Sequence, residues 1–186
     1  MPHHLQPGTV LRLPVVDTDS DSDATVTATR REVRHQRPAQ GEWSESRVGQ
    51  DLNQGWRLST GERSNAELTF QRSSVASIRE STLVIIYGTE ARRVRRESNR
   101  AVVRRGSVLS RLGSLSGGGD QPLEVETPAA LATLRQGESQ VDVDEDGSTR
   151  VAVHGGQQAT VTTPSGEGAV QVREGMGTSV QPGQRP

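Results

Sequence analysis

From Leu123 to Val180 apolar residues recur at every second position through a succession of turn signals, and that alternation restricts the region to short strands. Val141 and Val143 alternate with Asp142 and Asp144, Asp146-Gly147-Ser148 supplies a turn, and Val151 and Val153 resume the pattern with Ala152 and His154. Successive side chains of a strand point to opposite faces, so this spacing gives a hairpin with one buried and one solvated face. Beyond Gly155-Gly156, Ala159, Val161 and Thr163 continue the alternation, Pro164-Ser165-Gly166 interrupts it, and Val170 and Val172 begin another strand before Gly175.

Upstream the signal is similar. Ala24 to Thr29 alternates small and β-branched residues, and Ala66, Leu68 and Phe70 share one face while Glu67 and Thr69 take the other. Val75 to Ile78 and Leu83 to Tyr87 form two apolar strands. Leu83 to Ile86 is apolar at every position and is expected to be covered on both faces. Gly113 to Gln121 reads as a flexible connection to the Leu123 strand. Hydrophobic residues make up 30% of the 186 and aromatics 2%, with 20 Gly and 9 Pro, so burial has to come from layers of Val, Leu, Ile and Ala. The expectation is an all-β fold of short antiparallel strands, elongated and two-sheeted, solenoid- or sandwich-like.

Several chemistries are excluded or unsupported. All 22 basic residues are arginine, which rules out Schiff-base chemistry and a P-loop lysine, and the lack of cysteine rules out disulfides, thiolate zinc sites and a cysteine nucleophile. His3, His4, His35 and His154 lack metal-ligand spacing apart from the adjacent His3-His4, whose side chains point opposite ways in an extended chain, and all four read as surface residues. No Gly-x-Ser-x-Gly elbow occurs, and Gly175-Met176-Gly177-Thr178-Ser179-Val180 has valine where a dinucleotide fingerprint needs its third glycine. Glu138, Asp142, Asp144, Glu145 and Asp146 flank a hairpin turn, where charge meets water, and Asp17 to Asp23 lacks the glycine and distant glutamate of a calcium loop. No catalytic residue, metal ligand or cofactor is therefore nominated. A hydrolytic alternative would need a carboxylate pair from separate strands, such as Glu67 with Glu124 or Glu126.

The best claim on function lies in Glu90 to Arg105. Arg92, Arg93, Arg95, Arg96, Arg100, Arg104 and Arg105 stand there against two glutamates, and 7 minus 2 gives a local charge of +5 in a chain of net charge -1. Such a segment suits an acidic partner protein or an anionic envelope polymer, and otherwise serves as a solvated hairpin. Nucleic acid is disfavoured, since no aromatic residue for base stacking follows Tyr87. No apolar run reaches the ~18 residues of a membrane span, and the chain starts without a signal-peptide pattern, which fits either a cytosolic protein or a piece of a longer exported one.

The order of these motifs resembles a FecR-type domain over about Val48 to Val180. The residues that carry the resemblance are Gly55 ahead of an apolar strand, Thr60-Gly61, Ser64, the Ala66-x-Leu68-x-Phe70 strand, Ala101 to Leu109, Thr127-Pro128, Arg135, Gly137, Asp146-Gly147, Gly155-Gly156 and Gly175 to Thr178. Leu5 to Pro14, a Pro-Gly turn before Leu-x-Leu-Pro, resembles the last strand of a LysM module. The two resemblances imply a LysM-like remnant over 1–16, a linker over 17–40, a FecR-like domain over 41–182 and a tail over 183–186. They also imply a non-enzymatic periplasmic interaction or scaffold module, linked to signalling toward an anti-sigma segment or to peptidoglycan. One stretch is contested: Thr127, Pro128 and Ala129 to Arg135 make a two-turn helix by capping rules, whereas the resemblance implies a strand.

Overall fold

The computed structural model describes residues 22–38, 40–70, 74–87, 99–113 and 122–186. Among them every regular element is a strand: β1 Ala24–Arg30, β2 Val33–Gln36, β3 Trp43–Glu45, β4 Asp51–Leu52, β5 Arg57–Thr60, β6 Asn65–Phe70, β7 Ser74–Ile78 and β8 Leu83–Tyr87. The 14-residue β9, Asn99–Leu112, follows, then β10 Leu123–Glu126, β11 Leu131–Leu134, β12 Gly137–Val143, β13 Thr149–Gly156, β14 Ala159–Thr162, β15 Val170–Val172 and β16 Gly177–Val180.

The strands fall into two runs that meet in β9. One run is β4-β1-β6-β7-β9-β12-β13-β16 and the other is β3-β2-β5-β8-β9-β10-β11-β14-β15. The first half of β9 pairs with β8 and, in parallel, with β10; its second half pairs with β7 and β12. The all-β expectation therefore holds, while the strands form one hydrogen-bonded network instead of two separate sheets. Inward residues of both runs, such as Val26, Leu68, Ile78, Val141 and Val151 from the first and Leu58, Val84, Ile86, Leu123 and Val125 from the second, join one aliphatic core. Each such side chain contributes about 1.5–3 kcal/mol on burial, so many small contributions substitute for aromatic bulk.

The chain crosses between the runs at corners, and neighbouring corners are laced together. Gly61 N donates to Glu32 O (3.0 Å), Glu32 N to Ser64 Oγ (3.1 Å), Ser81 N to Gly61 O (3.1 Å), Thr82 N to Thr60 Oγ1 (3.0 Å) and Ser107 N to Thr82 Oγ1 (3.0 Å). Gly106 carries β9 through the same line at φ +94°, where a Cβ would stand 2.5 Å from Thr82 Cα. Buried polar backbone needs partners, and these corner side chains supply them.

Several local expectations meet the structure here. The segment 17–40, assigned to a linker, contains β1 and β2, and Val26 and Val33 sit in the core, so packing extends back through the alternating residues from Ala24. In β8, Val84 and Ile86 are fully buried but Leu83 and Ile85 only half, so one face is less covered than a continuous apolar run suggests. Leu131–Leu134 is a strand, and Thr127 caps only a turn, its Oγ1 accepting Ala130 N at 2.9 Å. The Asp146-Gly147 turn closes the β12–β13 hairpin with Gly147 at φ +82° and Gly147 N donating to Asp144 O at 3.0 Å. Leu5 to Pro14 and residues 114–121 of the Gly-rich connection lie outside the described residues.

Candidate functional site

Arg92, Arg93, Arg95 and Arg96 lie outside the described residues, while Arg100, Arg104 and Arg105 stand on β9. Arg100 is neutralised: the parallel register sets it beside Glu124, and its Nη2 and Nε meet Glu124 Oε2 at 2.8 and 3.0 Å. Arg104 and Arg105 are both exposed, although consecutive strand residues ordinarily point to opposite faces. A bulge explains it, because Leu83 pairs with Arg105 and Val84 with Val103, leaving Arg104 as the extra residue.

The acidic residues are bonded individually. Glu67 Oε1 accepts Thr27 Oγ1 at 3.1 Å, and Glu124 is bound by Arg100, so each carboxylate of that notional pair has its own partner on its own strand run. Glu138 accepts Arg111 Nε at 2.9 Å, which holds its carboxyl below the usual range, and Arg150 Nη2 meets Asp144 at 3.3 Å. Asp146 accepts the Ser148 N–H and O–H, both at 2.9 Å, and these bonds lower its pKa while fixing the hairpin turn. Among the described residues no three His, Asp or Glu side chains are placed to hold a metal ion.

His35 departs from the surface reading. It is 5% exposed, its Nδ1 lies 3.1 Å from Ser46 Oγ, and its ring stacks on Trp56 with centroids 5.5 Å apart and planes 13° from parallel. The Arg37 guanidinium carbon sits 4.9 Å from the centroid of the same indole. Burial first, and the Arg37 charge second, push the His35 pKa down. His154 is exposed as expected, with Nε2 3.4 Å from Gln140 Oε1.

A surface recess of about 430 Å³ escaped sequence reasoning. Its walls come from Arg63 to Glu67 and Ser77 to Glu80, with Leu109 on its lining. Arg63, in the β5–β6 corner, adopts φ +52°, and its N–H donates to Glu80 Oε2 at 2.7 Å. The sequence marks this turn by Thr60-Gly61, yet the left-handed position falls two residues later, on a residue type that does not announce it.

A family model described as FecR protein matches residues 57–159, which run from the start of β5 to the start of β14 and include the recess corner. No curated protein matches the chain. Two crystal structures, at 2.50 and 1.65 Å, of a candidate anti-sigma factor from Parabacteroides distasonis ATCC 8503 share the fold at 16% and 18% identity, with TM-scores of 0.53 and 0.54. Each match covers 70% of this chain and 56% or 57% of the solved one, so the chain spans little more than half the length of those structures.

Proposed function

Because the chain belongs to the FecR protein family, we propose that it is a non-enzymatic interaction domain of a cell-envelope regulator of the anti-sigma-factor type, exposed in the periplasm. The observation that carries this reading is the family match itself, which coincides with the laced corners and the core strands from β5 onward. A rigid scaffold with exposed side chains at its corners suits partner recognition. Deleting residues 57–159 in the chromosomal copy should change the level of transcripts read by an alternative sigma factor. Unchanged transcript profiles under envelope stress would contradict the proposal. Association with peptidoglycan through the LysM-like Leu5 to Pro14 is part of the same reading, and it predicts sedimentation with purified sacculi that is lost when residues 1–16 are removed.

A second reading is polyanion binding, favoured by the bulge that turns both Arg104 and Arg105 outward beside the arginines at 92, 93, 95 and 96 in the sequence. Binding to heparin as a model polyanion should then weaken steeply with salt, since the reach of exposed charges shrinks to about 10 Å at 0.1 M.

A further inference from the structure

We infer that the recess between the β5–β6 and β7–β8 corners binds the carboxylate of an acidic protein segment, gripped between Arg63 and Arg79. The inference rests on the interaction-domain reading and names the surface that reading leaves open. Strand register aligns Ala28, Glu67, Ser77 and Leu109 in one row across β1, β6, β7 and β9. This row lies on the face turned away from the core: Leu109 is only 7% exposed yet is not part of the core cluster. Leu109 and Ala28 thus give an apolar lining for the methylene stem of a glutamate.

Hydrogen bonding at the rim leaves its cations, and not its anions, unmatched. Arg63, Arg79, Glu67 and Glu80 all line the recess. The two carboxylates already accept bonds, Glu67 from Thr27 Oγ1 and Glu80 from the Arg63 N–H. Neither guanidinium has a hydrogen-bond or ion-pair partner among the described residues. Glu138 is within electrostatic reach of Arg79, but Glu138 is itself bonded to Arg111. Two guanidiniums without a hydrogen-bonded partner at the mouth of a partly apolar recess match a carboxylate, which arginine binds through paired N–H groups. Backbone conformation adds an independent observation. Arg63 keeps its side chain at φ +52°, a region that glycine adopts without cost, and such outliers concentrate where a side chain is needed for recognition.

The test is titration of acetylated, amidated tetraglutamate into the ¹⁵N-labelled chain, with tetraglutamine as control. Amide shifts should appear at Ser64 to Glu67 and Ser77 to Glu80, and tetraglutamine should cause none. Arg63→Gly and Arg79→Gln should each weaken binding by about tenfold or more, the range for losing a charged hydrogen bond. Unfolding midpoints measured on the same samples show that both variants are folded. Shifts confined to Arg104 and Arg105, absence of shifts, or undiminished binding by both folded variants would overturn the assignment. The transcript readout of the interaction-domain reading does not depend on this peptide, so the two can fail separately.

Discussion

The two halves of the molecule make left-handed turns with different residues. From β10 onward every described residue with positive φ is a glycine, including Gly137 (+122°), Gly147 (+82°), Gly156 (+95°) and Gly175 (+75°). In the first half, glycines serve the turns around β3 to β5 and the bend in β9, but the β1–β2, β5–β6 and β7–β8 corners place Arg31, Arg63 and Ser81 at φ 60°, 52° and 52°. A side chain there costs about 1–2 kcal/mol. Space separates the tightest glycine turns from the corners that keep a side chain. A Cβ on Gly137 would collide with the Gly155 carbonyl oxygen and stand 2.8 Å from Gly156 Cα, whereas Arg31, Arg63 and Ser81 point into solvent. Glycine is thus a steric necessity at Gly137 and Gly156, where a Cβ would run into backbone of the paired strand, whereas at Gly166, Gly175 and Gly183 nothing lies within 4 Å and only the backbone conformation favours it; at Arg31, Arg63 and Ser81 a side chain is retained at a cost in stability.

The largest effect expected from this contrast is at Gly137. Gly137→Ala drives a methyl into backbone on the paired strand, and it should cost about 3 kcal/mol or more, read as a fall in the urea midpoint. A loss under about 1 kcal/mol would mean that β12 and β13 can separate there without penalty and would remove the steric half of the comparison. Gly147 is a milder case, since a Cβ would meet only Pro128 Cβ at 3.1 Å and Pro182 Cγ at 3.3 Å. Gly147→Val should cost roughly 1–2 kcal/mol from the disfavoured backbone region, and an unchanged midpoint would show that the turn does not need its glycine.

How far the sequence could be read follows the same division. Strands and turns of the second half were legible because glycine and proline mark where the chain must bend: Asp146-Gly147, Gly155-Gly156 and Pro164-Ser165-Gly166 separate runs of alternating valines. The corners of the first half were harder, since Arg31, Arg63 and Ser81 belong to types that rarely take positive φ; the alternation of Ala24 to Thr29 shows in the sequence, yet the segment 17–40 that holds β1 and β2 was assigned to a linker. Of the nominated arginines, Arg100 is taken by Glu124 through a parallel pairing 24 residues apart in sequence, which no local pattern reveals. The bulge that exposes Arg104 with Arg105, and the recess assembled from β6, β7 and β9, likewise arise from long-range pairing.

A smaller effect separates the halves by pH. His35 in the first half is buried and its pKa lies below 6.5, so the folded state favours the neutral ring. Its contribution is fully present above pH 6.5 and is lost as pH falls below that toward the lowered folded value, because the unfolded chain then binds the proton first. Glu138 and Asp146 in the second half, lowered from 4.5 and 3.8, act in the same direction but only in more acid solution. Trp56 fluorescence followed during unfolding should show midpoints that decline below pH 6.5 in the native chain, and His35→Gln should flatten that decline. A slope identical in both would place the titrating group elsewhere.

The smallest change in stability carries the central claim, that Arg63 is kept at its corner for recognition and not for folding. Arg63→Gly relieves about 1–2 kcal/mol of backbone crowding and adds roughly 0.5–1 kcal/mol of unfolded-chain entropy, and it leaves the N–H that meets Glu80 in place. Equilibrium urea unfolding should therefore give an unaltered slope and a stability equal to the native chain or higher by up to about 1 kcal/mol. A loss of about 1 kcal/mol or more would show that the guanidinium holds the corner together and would contradict the account.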